Sequence, residues 1–227
     1  MAAFGSFAEA IKARADSAAL AHYVVDTVSA FTDGKDVAFD FLAKDAVGRF
    51  CRSLGVRRNW ATLTLEQIAP EDKLGCNVVP IGEADKILGL LAALIRDGYL
   101  TPEDEDGEPA PTILNDFLQR PKSFQGERTL GHLDEFAYAL AVELEHGRAR
   151  GQNVTMNHPL LTGMVVMAHL AEDTLYYARL RVMEAEGELF NQQLDKASHE
   201  TMLETATRLA DPRTRLAARM SEKLAHA

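Results

Sequence analysis

The stretch PLLTGMVVMAHLAE, residues 159–172, decides the fold of this chain. Apolar side chains occur all the way round it when it is drawn as a helix, and such a helix is normally buried inside a protein. Pro159 suits the first helical position, where the N–H that it lacks would have no helical partner. The stretch therefore predicts a central helix against which other helices pack.

Amphipathic helices are predicted on both sides of this central helix. One precedes it over residues 129–149, and another follows it over residues 173–186. A last, charged helix is predicted over about residues 194–225, with a kink or a break at Pro212 because proline lacks the N–H that a helix interior needs. Residues 128–227 are therefore expected to form a C-terminal helical bundle.

Helices are also predicted in an N-terminal region, residues 1–120, and no strand-like alternation of useful length occurs in the chain. Residues 101–126 are acidic and carry several prolines and glycines, which indicates a boundary between the two regions. The order of elements that ends in a turn at Asp106 and Gly107 also fits a small winged-helix module. The fold class is therefore all-α, and the predicted N-terminal helices cover residues 6–31, 39–54, a short helix opened by the capping box 64–67, and 82–97.

Composition restricts the classes of partner. Hydrophobic residues make up 47% of the 227-residue chain, so a sizeable core can form. The formal net charge of −10 opposes binding to nucleic acid and to anionic lipid. We therefore expect protein partners, with nucleic acid and membranes disfavoured.

The cysteines and the apolar runs indicate a compartment. Cys51 and Cys76 form neither a CxxC pair nor a disulfide framework. No secretory signal pattern and no apolar run of membrane-spanning length is present. A cytoplasmic location, in a host cell or in an assembled virion, is the expectation.

Two Glu/His pairs lie at helical spacing, one before the central stretch and one within it. Glu143 and His146 are three residues apart, as are His169 and Glu172, so each pair shares one face of its helix. An antiparallel hairpin would bring the pairs together, and four such ligands can hold one zinc, manganese or iron ion. No phosphate-binding, zinc-protease, deaminase or nucleophile motif is found, so no catalytic residue and no other cofactor is predicted.

A buried polar clasp is the favoured interpretation of the same four residues, because hydrogen-bonded Glu/His pairs are common in bundle cores. His169 interrupts a nearly all-apolar helix, where an imidazole needs a partner to offset its desolvation. If the group is instead a metal-dependent enzyme site, a metal-bound water is the nucleophile and Glu145 or Tyr176 donates or accepts the proton.

Residues 142–183 read VELEHGRARGQNVTMNHPLLTGMVVMAHLAEDTLYYARLRVM. This pattern resembles the core of a family of short uncharacterised helical proteins encoded by bacteria and many tailed phages, in which ELEH is followed by AHL, Glu and Tyr-Tyr. The family has no established activity, so the resemblance implies a phage association but no reaction. The matching positions are Glu143, Glu145, His146, His169, Glu172, Tyr176 and Tyr177.

The sequence departs from that family's pattern in two places. Asn157 and His158 precede Pro159 where acidic residues usually stand, and this removes potential carboxylate ligands. Thr174 stands where a proline often follows the acid. The first departure weakens the metal interpretation.

One basic cluster stands out, and acidic residues surround it in sequence. These neighbours and the negative net charge disfavour a nucleic-acid patch. We expect its arginines to pair with acids of this chain or of a partner, and its tryptophan to anchor an interface or a small core. The predicted interface residues are Arg49, Arg52, Arg57, Arg58 and Trp60.

The sequence thus favours a non-catalytic assembly protein, a phage virion or phage-associated component that packs against its own copies or other proteins. A metal-dependent helical-bundle enzyme is the alternative. A winged-helix regulator is the weaker alternative.

Overall fold

The computed structural model describes residues 42–68, 79–96, 100–101, 132–146 and 155–225. These residues contain seven α-helices and no strand, which confirms the all-α bundle. One 3-10 turn, Trp60–Thr62, lies between the first two helices. The helices are α1 (Lys44–Ser53), α2 (Leu65–Ile68), α3 (Ile81–Arg96), α4 (His132–His146), α5 (Pro159–Glu172), α6 (Tyr176–Leu194) and α7 (His199–Ala225).

Helices α1, α2 and α5 each begin or end where a local sequence signal predicts it. Gly55, just after α1, has φ +69°, a left-handed conformation that favours glycine. Thr64 and Gln67 make both bonds of a capping box at α2: the Thr64 N–H donates to Gln67 Oε1 (2.9 Å) and the Gln67 N–H to Thr64 Oγ1 (3.3 Å). Pro159 opens α5, and His158 caps it because its Nδ1 accepts from the Leu160 N–H (3.2 Å).

Helix α5 is the central helix, as its composition predicts, and it packs on α3 and α4. Gly163 is the point of closest approach to α3. A Cβ added there would lie 2.8 Å from Leu91 Cδ1 and 3.0 Å from Ile87 Cγ2, so the two helices meet where only a glycine fits without displacement.

A single hydrophobic core includes residues from both sides of the predicted boundary. Leu91 of α3, Phe136 of α4 and Leu161 of α5 are all fully buried in it, together with Trp60. The N-terminal and C-terminal regions therefore do not have separate cores in the described part of the chain. The predicted boundary itself, residues 101–126, lies outside the described residues except for Thr101.

The last two helices differ from the sequence prediction in their bounds: α6 ends later than expected, and α7 begins at His199 instead of about residue 194. We expected α6 to end before Gly187, and this was wrong, because the helix continues to Leu194. Of the kink or break expected at Pro212, the break does not occur, since α7 runs through this residue. Pro212 is buried in α7, which packs on α6, and this packing offsets the backbone hydrogen bond that proline cannot make.

Some predictions fall outside the described residues. These are the helix over residues 6–31, the start of the helix over 39–54, the Asp106–Gly107 turn of the winged-helix alternative and the ends of the helix over 129–149. Within the described ranges, none of the helices is both long enough and apolar enough to cross a membrane.

Candidate functional site

Helices α4 and α5 bring together one residue from each predicted Glu/His pair. Glu143 Oε1 lies 3.7 Å from His169 Nε2, although the two residues are 26 positions apart in the chain. Glu143 is largely buried, whereas the His169 side chain keeps 31% of its surface exposed. The contact lies at the edge of the helix interface, as predicted.

Tyr177 completes the buried side of this group. Its hydroxyl donates a hydrogen bond to Glu143 Oε1 (2.8 Å), and its side chain is fully buried. Burial and, after it, the nearby Glu143 carboxylate raise the pKa of Tyr177, because both disfavour a second negative charge. The phenol therefore stays protonated and acts as a fixed donor to Glu143.

The two ring nitrogens of His169 face different carboxylates. Its Nε2 faces Glu143, and its Nδ1 lies 3.8 Å from Glu172 Oε2 on the next turn of α5. The Nδ1 atom is buried and has no hydrogen-bond partner among the described residues. The imidazole of His169 therefore lies between two carboxylates, with one ring nitrogen facing each of them.

Tyr176 covers the remaining face of the His169 ring. The rings are parallel within 4° and their centroids are 4.4 Å apart. Tyr177 meets the same imidazole edge to face, at 6.1 Å. The first turn of α6 is therefore fixed onto α5 by aromatic contacts as well as by the bond to Glu143. We call Glu143, His169, Glu172, Tyr176 and Tyr177 the His169 clasp.

His146 is not part of the clasp. It is exposed at the C-terminal end of α4 and makes no hydrogen bond or ion pair with the other three predicted ligands in the described residues. In the part of the chain that the structure describes, no group of three or more His, Cys, Asp and Glu side chains has an arrangement that could hold a metal ion. The four-residue metal site stays a prediction.

The predicted interface cluster divides into two parts. Arg49, Arg52 and Arg57 are exposed, so their side chains are available to a partner. Trp60 is fully buried and is a core residue, which is the second of the two positions expected for it. Arg58 and Trp60 both donate to Glu83 Oε2, at 3.3 Å and 3.1 Å.

A buried polar group joins this tryptophan to the start of α5. The side-chain amide of Asn157 donates to the Trp60 carbonyl (3.3 Å), and His158 lies against Phe50 with ring centroids 4.5 Å apart. Burial lowers the pKa of His158 to about 3, so its ring is neutral and its Nδ1 can accept the capping bond. The position of His158 before a helix-starting proline is the only local sequence feature that points to this role.

Long-range polar contacts join the α6–α7 hairpin to α4. Glu135 and Arg219 form an ion pair (3.2 Å) whose side chains are only 13% and 7% exposed. Burial raises the pKa of Glu135, and the Arg219 charge opposes that rise. The Tyr138 hydroxyl donates to Glu184 (2.6 Å), and the Arg181 guanidinium lies 3.8 Å from the centroid of the Tyr138 ring. These partners are too distant in sequence to be paired from spacing.

Helix α6 also carries an apolar stripe that faces solvent. Met183, Phe190 and Leu194 are 62%, 59% and 64% exposed. With Gly187 they are spaced by four, three and four residues, which is the period of a helix-packing seam. The spacing is present in the sequence, but it continues past the predicted helix end at Gly187, so these residues were not predicted to lie on one helix. We call these four residues the α6 stripe.

Comparison with known families gives one match. The model of a family described as "Protein of unknown function (DUF5661)" matches residues 103–186. The match contains every residue of the His169 clasp and leaves α1 to α3, α7 and the last part of α6 outside it. It is a match to an uncharacterised family, as the resemblance of residues 142–183 indicated. No curated protein and no solved structure matches the chain.

Proposed function

We propose that this protein is a non-catalytic assembly protein that works by binding other protein chains. The observation that carries the proposal is the α6 stripe, because three large apolar side chains close together on one helix face, each about 60% exposed, are a feature of interaction surfaces. The exposed Arg49, Arg52 and Arg57 are proposed as a second contact surface. The setting that we propose is a phage virion or phage-associated assembly, on the basis of the resemblance described above.

The contacts of the clasp support a structural role for it. Tyr177 keeps its proton and satisfies Glu143, and the aromatic rings restrict His169, so these groups fix α6 on the core. A stable orientation of α6 is what a docking surface on this helix needs.

A photo-reactive side chain placed at Phe190 in the full chain tests the proposal in the protein's native setting. We expect covalent adducts with defined proteins, of this chain or others, and we expect Leu194→Glu in the same chain to abolish them. The control position is Glu200, an exposed polar residue of α7, which should give no such adduct. Absence of adducts at Phe190 would contradict an assembly role for this face.

A bound divalent ion is a second proposal, supported by the convergence of Glu143 and His169. Tyr177 gives the Glu143 carboxylate an outer partner of the kind that metal ligands usually have. The other two ligands of this proposal are those predicted from the sequence, His146 and Glu172. Elemental analysis of the purified protein should find a stoichiometric amount of zinc, manganese or iron, and His169→Gln should remove it. A purified protein that contains no such metal, and whose stability does not change when metal is added, would exclude this proposal.

A further inference from the structure

The α6 stripe lies on the side of α6 that faces away from α7. The opposite side of the helix makes the hairpin contacts: Gln192 donates to Thr205 (2.9 Å), Glu188 pairs with Arg208 (3.2 Å), and Ala185 is fully buried. Residues of the stripe are half a turn away from these at 100° per residue. The stripe is therefore an outer helix face that the described residues leave exposed, and it can pack against another helix.

The stripe combines a bulky residue and a gap. Phe190 projects a ring into solvent, while Gly187, three residues earlier, has no side chain, and a Cβ added there would lie more than 4 Å from every neighbouring atom of the described residues. A glycine inside a helix costs about 1 kcal/mol relative to alanine, so an exposed one in a packing seam favours close approach of a second helix. When two copies of this face meet in antiparallel orientation, the Phe190 ring of one helix can fill the space beside Gly187 of the other.

Resting on the assembly role proposed above, we propose that the partner of the α6 stripe is a second copy of this chain, with the two α6 helices antiparallel and Phe190 of each copy over Gly187 of the other. In that register Met183 lies opposite Leu194 of the second copy, so each large side chain has an apolar neighbour. The contact is a two-fold interface in which one surface serves both copies.

The residues that flank the stripe fit the same arrangement. Glu184 and Glu186 lie beside its first half, and the amides Asn191 and Gln193 lie beside its second half. The two carboxylates already accept hydrogen bonds within the chain, from Tyr138 and from Arg213 respectively, and each keeps further lone pairs for an amide donor. Reversal of one helix places each carboxylate next to an amide of the other copy instead of next to another carboxylate. Antiparallel pairing therefore adds possible hydrogen bonds and avoids like-charge repulsion.

A parallel pair fits less well. It would place Phe190 beside Phe190 and Gly187 beside Gly187, so that one layer is crowded and the next is empty. It would also bring the two α3–α5 cores to the same end of the paired helices. The fit of Phe190 to Gly187 therefore favours an antiparallel arrangement of the two copies.

Mass measurement by sedimentation over a range of concentrations is the first test. The wild-type chain should change from monomer to dimer as concentration rises, because residues 183–194 overlap over only about 18 Å. Leu194→Glu should stay monomeric. Leu203→Glu is the matched control, since Leu203 is 58% exposed on α7 of the same hairpin but lies outside the stripe, and this variant should dimerise like the wild type.

Distances between spin labels test the direction of the helices. Labels are placed at Arg179 or Gln193 in a Cys76→Ser background. In the antiparallel register the two Gln193 labels are offset by about 14 Å along the helix axis and the two Arg179 labels by about 29 Å, whereas a parallel pair gives short, similar distances at both positions.

The outcomes separate this proposal from the assembly role. A wild-type monomer at every concentration, or a dimer that Leu194→Glu leaves intact, overturns the second-copy proposal. Phe190 adducts with a different protein in the native setting would then leave the assembly role standing. Absence of both the dimer and the adducts would remove both proposals.

Discussion

Helices α5 and α6 follow one another in the chain and differ in what surrounds them. Ten of the fourteen residues of α5 are buried, whereas α6 has two buried residues, Tyr177 and Ala185. The α3–α5 core is stabilised by close packing of apolar side chains, and this packing depends on how well their shapes fit together. The α6–α7 hairpin depends on specific polar pairs, which leave its outer faces open to other molecules.

The largest expected effect comes from an aromatic residue in each region. Trp60→Ala should lower the free energy of unfolding by about 3–5 kcal/mol, because it opens a cavity and leaves Glu83 without one of its donors. Phe190→Ala, on the open face of α6, should change it by less than about 0.5 kcal/mol. Urea unfolding at low protein concentration measures both. Equal losses would show that the two regions do not differ as described.

Removal of one member of the buried ion pair should weaken the attachment of the hairpin. Glu135→Ala removes the buried carboxylate that faces Arg219 and leaves the guanidinium with the more exposed Glu222 (3.0 Å), and we expect a loss of about 3 kcal/mol. Replacement of both residues by methionine should restore most of the stability, since two apolar groups need no desolvation of charge. A double variant no better than Glu135→Ala would mean that the pair holds the hairpin by more than charge balance. Thermal unfolding of the single and double variants decides this.

Protonation of His158 should destabilise the core at acidic pH. The unfolded histidine binds its proton near pH 6.5, while burial lowers the pKa in the folded protein to about 3. Between these values the unfolded state binds more protons, so stability falls as pH falls, by about 1.4 kcal/mol per pH unit, or about 2 kcal/mol from pH 6.5 to pH 5.

His158→Asn should remove this part of the pH dependence and keep a capping acceptor at α5. Unfolding free energies of the wild type and the variant at pH 8, 6.5 and 5 provide the measurement. The difference between them should be constant above pH 6.5 and should shrink by about 2 kcal/mol by pH 5. A constant difference at all three values would contradict a buried, neutral His158.

The smallest effects come from a pair of helix glycines, one in each region. Gly163→Ala should destabilise by about 1 kcal/mol, because the new methyl meets Leu91 and Ile87 at the close contact with α3. Gly187→Ala has open space around it and should stabilise the monomer by about 0.5–1 kcal/mol through helix propensity. Chemical unfolding measures the change in unfolding free energy for both variants, and changes of opposite sign would support the contrast. If both variants were stabilised, the core near Gly163 would accommodate a methyl group more easily than its packing indicates.

The sequence predicted the core better than the hairpin, for a physical reason. Burial produces a periodic apolar pattern that is read from neighbouring residues, as for α5, and capping signals are local, as for Thr64 and Gln67. The contact of Glu143 with His169 could be anticipated because both lie at helical spacing on adjacent helices. In contrast, the pairing of Glu135 with Arg219 joins residues 84 positions apart, and nothing local in either segment specifies it.

The end of α6 shows a different limit. Gly187 is a reasonable stop signal when only the helix itself is considered, yet α6 continues because α7 packs along it beyond that residue. For the His169 clasp, the pattern identified the residues but not the geometry: His169 directs its two nitrogens to different carboxylates, and His146 lies outside the group. Orientation of a side chain depends on tertiary contacts that residue spacing does not contain.

The hydrogen bond from Asn157 to the Trp60 carbonyl has a consequence for how the chain folds. It joins residues 97 positions apart, so the environment of the tryptophan is complete only after α5 has been synthesised. Closing a loop of this length is entropically unfavourable, and folds that rely on such contacts form slowly. Helices α1 and α3 therefore cannot complete their packing until the C-terminal half has been synthesised. During translation, the N-terminal half on the ribosome exposes apolar surface that would favour chaperone binding.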